Sequence, residues 1–190
     1  VGLISNLLKD ALELSRSMEK KVRGKDPEPT LKQAAKAAAT QDGYKVLAMT
    51  RIRESARAMH IPGVNHAFRL AGTVLYGIEI GNDVTFGEGV NFAHTLGTVI
   101  GGTSRIGNRV KFMGNNTIGT AKDNGCPVIE DDVIVGCGAR VLGPIRIGAR
   151  SIIGANAVVL SDVPPDSVVT GIPAKAVPQK RETGEKSRSN

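Results

Sequence analysis

The chain has 190 residues, a formal net charge of +7, 41% hydrophobic and 3% aromatic residues, and no tryptophan. That length suits one extended core with one small appended unit, and no apolar run approaches the ~20 residues of a membrane span. The basic residues are spread among acidic ones without interleaved aromatics, which argues against a nucleic-acid partner.

Residues 3 to 22 carry Ile4, Leu7, Leu8, Ala11, Leu12, Ser15, Met18 and Val22 at helical spacing, the pattern of an amphipathic helix. The run Gly24 to Pro29 ends it, because glycine and two prolines cannot continue that pattern. Thr30 and Gln33 form a capping-box signature for a second helix through the alanine-rich run to Asp42, with Gly43 expected to punctuate it. A third helix is predicted from Tyr44 to about Met59 and a fourth from about Val64 to Leu75, with Gly77 marking the change to a different period.

From Ile78 to Val163 one apolar residue returns every six positions: Ile80, Phe86, Phe92, then Ile100, Ile106, Phe112, Ile118, then Ile129, Val135, Val141, Ile147, Ile153 and Val159. A helix repeats near 3.6 and a strand near 2, so a sustained six means a repeat architecture. Many of these residues precede a glycine, and a small or branched residue stands two places before them, such as Val84, Val90, Val133, Ala139, Ile145, Ser151 and Ala157. Short strands joined by turns, three to a coil, meet that pattern, and the stacked coils form the core. Two irregular steps, Phe92 to Ile100 and Ile118 to Ile129, predict projecting loops. The first holds His94 and the second Gly125 and Cys126.

After Val163 come a rigid Pro164-Pro165-Asp166 turn, Gly171 to Val177, and a polar stretch from Pro178 to Asn190 that reads as a mobile tail. The expected organisation is therefore α+β: a helical domain over 1–76, a solenoid over 77–170, and a C-terminal segment and tail over 171–190. Two cysteines, Cys126 and Cys137, make no disulfide framework, so free thiols in a reducing cytoplasm are expected, and no secretory signal is evident.

The hexapeptide pattern resembles the left-handed parallel β-helix of acyltransferases; the handedness is taken from that resemblance. The ordered set Val22-Arg23-x-x-Asp26-Pro27, Gly43 to Ile52, Gly77-Ile78-Glu79-Ile80, the His94 loop and Gly171-Ile172-Pro173-Ala174-Lys175 is similar to the serine O-acetyltransferase family. The resemblance implies acetyl-CoA as co-substrate, no metal, and a homotrimer or dimer of trimers with sites between neighbouring prisms. It makes His94 the catalytic base and Glu79 the carboxylate that orients it, in place of a family aspartate. Asp26 matches a residue that touches the acceptor. Ala93 replaces an acceptor-binding aspartate, and Gly125 and Cys126 replace an arginine and a histidine. Gly119, Thr120, Cys137 and Ala155 match small positions along the pantetheine groove, and Lys175 a basic residue near the nucleotide. The short loop with Cys126-Pro127 looks more like a colanic-acid type of acetyltransferase. The chain ends Arg188-Ser189-Asn190 rather than in the isoleucine by which the family engages cysteine synthase, so no such complex is expected.

An alcohol is too weak an acid to attack a thioester unaided, so a base must take its proton as the bond forms. An imidazole titrates close enough to neutral pH to do so, and a carboxylate on its second nitrogen would fix the tautomer. The resulting expectation is direct acetyl transfer to a small hydroxyl acceptor, L-serine ahead of a sugar or polysaccharide precursor. A non-catalytic scaffold is the alternative of another class. Zinc chemistry of the carbonic-anhydrase kind needs three histidines on the coils, and only His94 stands there.

Overall fold

The computed structural model describes residues 2–23 and 29–179. Four helices, α1 (Leu3–Arg23), α2 (Leu31–Thr40), α3 (Asp42–Ala58) and α4 (Val64–Tyr76), precede a three-sided parallel solenoid. Asp26 and the tail from residue 180 lie outside the described residues.

The first side stacks β1 (Ile78–Ile80), β4 (Thr98–Ile100), β7 (Thr117–Gly119), β10 (Arg140–Leu142) and β13 (Val158–Val159). The second stacks β2 (Thr85–Phe86), β5 (Arg105–Ile106), β8 (Val128–Ile129) and β11 (Arg146–Ile147). On the third lie β3 (Asn91–Phe92), β6 (Lys111–Phe112), β9 (Ile134–Val135), β12 (Ile152–Ile153), β14 (Ser167–Gly171) and β15 (Ala174–Pro178). Every pairing is parallel except β14 with β15, where the chain turns back antiparallel and closes the foot of the third side.

All thirteen guide residues are buried, with Phe112, Ile100, Ile118, Val135, Val141, Ile147 and Ile153 fully enclosed. The two-before positions Val84, Val90, Val110, Val133, Ala139, Ile145, Ser151 and Ala157 are buried as well, together with Ile78, Thr98, Ser104 and Asn116. Phe92 stacks on Phe112 with ring centroids 5.3 Å apart and meets Phe86 edge-on, filling the first two coils where the sequence places aromatics. Deleting such a buried side chain costs about 2–5 kcal/mol.

A parallel solenoid leaves the backbone groups of its first coil without a strand above them. Here α3 supplies the partners. Arg51 donates to Phe86 O and Gly87 O, Arg53 to Ile80 O and Gly81 O, and Arg57 to Asn82 O. Arg51 also pairs with Asp10 of α1, Nε to Oδ2 at 3.0 Å, with both side chains buried. The second Asp10 oxygen accepts the Gly89 N–H at 2.8 Å. The helical unit is thus fastened to the prism by hydrogen bonds as well as by Val46 and Leu47, which join its core.

The capping box at Thr30 and Gln33 forms as the sequence predicts. Gly43, by contrast, does not end a helix; it lies in the first turn of α3. A side chain there would run into the carbonyl of Phe92, so glycine is required by the close approach of α3 to β3. Gly77 caps α4 in the left-handed conformation at φ 60°.

Candidate active site

The corner between the third and first sides carries one line of residues down the prism. His94 and Leu96 stand in its first coil, Gly114 and Asn115 in the second, Cys137 and Gly138 in the third, Ala155 and Asn156 in the fourth. Backbone bonds tie the line together: Gly97 N–H to Gly77 O at 2.9 Å, Asn115 N–H to Leu96 O at 3.0 Å, Gly138 N–H to Gly114 O at 3.0 Å and Asn156 N–H to Cys137 O at 2.9 Å. His94 is exposed at the head of this edge, in the first repeat-breaking loop, and Ala93 beside it is exposed too.

Below His94 the edge is lined by small residues. A methyl group added to Gly114 would come within 2.9 Å of His94 Cβ, so the histidine sits directly on that glycine. Cys137 and Ala155 follow, both exposed. Lys175 on β15, paired with Thr170 of β14, is the exposed cation at the foot. At about 4.8 Å per coil, five steps separate the levels of His94 and Lys175 by roughly 24 Å.

Glu79 points outward from β1 on the first side, opposite Val99 in the ladder. It lies on the strand to which the His94 loop returns, and no hydrogen bond joins it to His94 among the described residues.

Four predicted residues stand elsewhere. Gly119 ends β7, and Thr120, Gly125 and Cys126 follow in the loop to β8, at the corner between the first and second sides. Cys126 packs its Sγ against Gly102 of the preceding coil, and Gly125 approaches Pro144 of the following one. The width of the first side separates this group from His94 within one chain. Both cysteines are free. Among the described residues no group of three or more His, Cys, Asp or Glu side chains could hold a metal ion, and no helix is long and apolar enough to cross a membrane.

One residue that the sequence reading passed over sits behind the site. Asn116 is fully buried, with its side chain inside the prism two places before Ile118. An amide at a position otherwise held by aliphatic residues or by the smaller hydroxyl residues Thr98, Ser104 and Ser151 was the available signal.

The family model described as bacterial transferase hexapeptide (six repeats) matches residues 126–161. The serine acetyltransferase of Helicobacter pylori (strain J99) is 33% identical over 173 residues, covering 90% of this chain and 99% of that protein. The chain belongs to the serine acetyltransferase family. Within the family, the Bacillus subtilis serine acetyltransferase is 47% identical over 106 residues, 54% of this chain and 49% of that one. The chain therefore spans about half the length of several family members that it matches. The crystal structure of Neisseria gonorrhoeae serine acetyltransferase superposes with a TM-score of 0.80 at 26% identity, covering 94% of this chain and 69% of that chain. A serine acetyltransferase in complex with CoA gives 0.77 at 25% identity, covering 92% and 69%.

Proposed function

We propose that the chain is an acetyl-CoA-dependent O-acetyltransferase that moves the acetyl group directly to the hydroxyl of L-serine. The observation that carries this reading is the exposed His94 at the head of an edge whose walls are small and whose foot is Lys175. A thioester drawn to the head and nucleotide phosphates held at the foot suit that spacing, since bulky side chains along the edge would obstruct the arm between them. His94 takes the hydroxyl proton as the oxygen attacks the thioester carbonyl, the tetrahedral intermediate collapses, and CoA leaves as a thiol with the proton returned from the imidazolium. Glu79 closes on the second ring nitrogen during the reaction, holding the tautomer and balancing the charge of the imidazolium. Catalytic hydrogen bonds of this kind are often unmade in a free enzyme.

Family structures with CoA and with serine support both substrates. In this reading Asp26 approaches the acceptor, along with Ala93, Gly125 and Cys126. Because these last two lie on a different edge from His94, the complete site draws on two copies, one chain offering the His94 edge and its neighbour the Gly119 to Cys126 edge. A homotrimer satisfies that geometry. Exposed Leu70, Val74 and Leu75 on α4 and Leu96 beside His94, the last 73% exposed, are surfaces suited to burial between copies. Two free thiols fit a cytoplasmic setting.

A sugar hydroxyl is the second reading, favoured by one observation. Ala93, Gly125 and Cys126 offer no charge to an amino acid's ammonium or carboxylate. CoA release measured with L-serine, homoserine and a panel of hexoses and nucleotide sugars decides between them. Serine as the best acceptor supports the proposal; background rates with serine and robust turnover of a sugar overturn it.

A further inference from the structure

Asn116 is the one amide among the interior positions of the prism, and both ends of its side chain are engaged. Its Oδ1 accepts the Gly114 N–H at 3.1 Å, and its Nδ2 donates to Gly136 O at 2.7 Å. Its backbone carbonyl accepts the Val99 N–H at 2.8 Å, which ties it to the coil of His94. The Thr98 hydroxyl approaches its N–H at 3.5 Å.

Gly114 is the platform of His94, with 2.9 Å available where a Cβ would stand. Its φ of 110° is a conformation that no local preference of the chain enforces, so something must hold the turn. Two bonds do: Asn116 takes the N–H, and Gly138 N–H takes the carbonyl. Through Nδ2 the same amide fixes Gly136, whose neighbour Cys137 lines the edge below. A buried amide must be paired at both ends, since each unmet group costs the desolvation it suffered. The turn under His94 and the turn before Cys137 are therefore tied to each other by this side chain as well as by the backbone bond from Gly138 N–H to Gly114 O.

We propose that Asn116 is a positioning residue for acetyl transfer, holding the Gly114 seat of His94 in register with the Gly136–Cys137 wall. This rests on the reading of His94 as the base. It adds a residue that touches neither substrate and acts through backbone turns on either side.

The test uses the full chain with Asn116→Thr, Asn116→Asp and His94→Ala measured in parallel. Threonine has a precedent in this ladder, because Thr98 occupies the equivalent interior position one coil above and is fully buried. It removes the amide without opening a large void. A buried aspartic acid kept neutral retains one acceptor and one donor, as the amide does. The expected result is a folded Asn116→Thr with kcat reduced about 10- to 100-fold, the scale of a misplaced reacting group. KM for acetyl-CoA stays within about threefold, the acid limb of the pH–rate profile moves, and Asn116→Asp recovers most of kcat. A folded Asn116→Thr with kcat within about twofold of the parent overturns the proposal. So does equal loss of activity and thermal stability in both variants, which would make Asn116 a core residue and nothing more. If His94→Ala keeps full activity, the reading of the base itself fails. If His94→Ala is inactive while Asn116→Thr is not, only the present inference falls.

Discussion

Gly114 lies directly beneath His94, and the 2.9 Å left for a methyl group between them is less than two carbon atoms can share. Gly114→Ala should therefore push the imidazole off its seat and strain a turn held at φ 110°. Kcat is expected to fall about tenfold to a hundredfold, with acetyl-CoA affinity little changed. Steady-state kinetics beside isothermal titration with CoA separates the two.

Gly43 permits the contact between α3 and the first coil. Gly43→Ala sets a side chain against the Phe92 carbonyl, and neither backbone can give way without parting helix from prism. Overpacking of this kind costs about 1–3 kcal/mol, which thermal melts of a chain this size would read as a Tm lower by roughly 2–12 °C.

The buried Arg51–Asp10 pair joins α1, α3 and the first coil. Asp10→Ala leaves the buried guanidinium with only the more distant, solvent-exposed Glu54 carboxylate at 3.6 Å, and the Gly89 N–H without its acceptor. A loss of about 3–5 kcal/mol is expected, measured by urea denaturation. A cost below about 1 kcal/mol would mean that water readily replaces the carboxylate.

Much of this architecture could be read directly from the letters. The guide residues from Ile80 to Val159 all turn inward because a six-residue period has one geometric solution, and the Thr30–Gln33 cap is a local signal that local physics satisfies. What escaped was tertiary. Gly43 looks like a helix stop until Phe92 is seen above it, and the burial of Arg51 and Arg53 follows only from the bare carbonyls of the first coil. The separation of Gly125 and Cys126 from His94 depends on which corner each loop occupies. Asn116 was visible as an amide at an interior position, but its partners at Gly114 and Gly136 belong to two different coils.

On the corner between the second and third sides, Asn108 donates to Asp131 from its side chain at 2.9 Å and its backbone at 2.8 Å. These bonds, the side-chain one foremost and the backbone one next, hold the Asp131 carboxyl below its ordinary value of 3.8. The unfolded chain then binds the proton at higher pH than the folded one. Its stabilisation is complete above the ordinary value and is lost as pH falls through the lowered folded one. Asp131→Asn should lower Tm near neutrality and flatten its fall below about pH 4, so that parent and variant converge in acid. An unaltered acid limb would contradict this.

The central claim is that the imidazole at position 94 does the proton transfer. The most direct measurement is CoA release from acetyl-CoA with L-serine by the parent chain and by His94→Ala, with CoA binding measured on both. The account predicts turnover in the parent, a loss of about 100-fold or more in the variant, and unchanged CoA affinity. A variant that turns over at the parent rate, or a parent that binds no CoA, contradicts it.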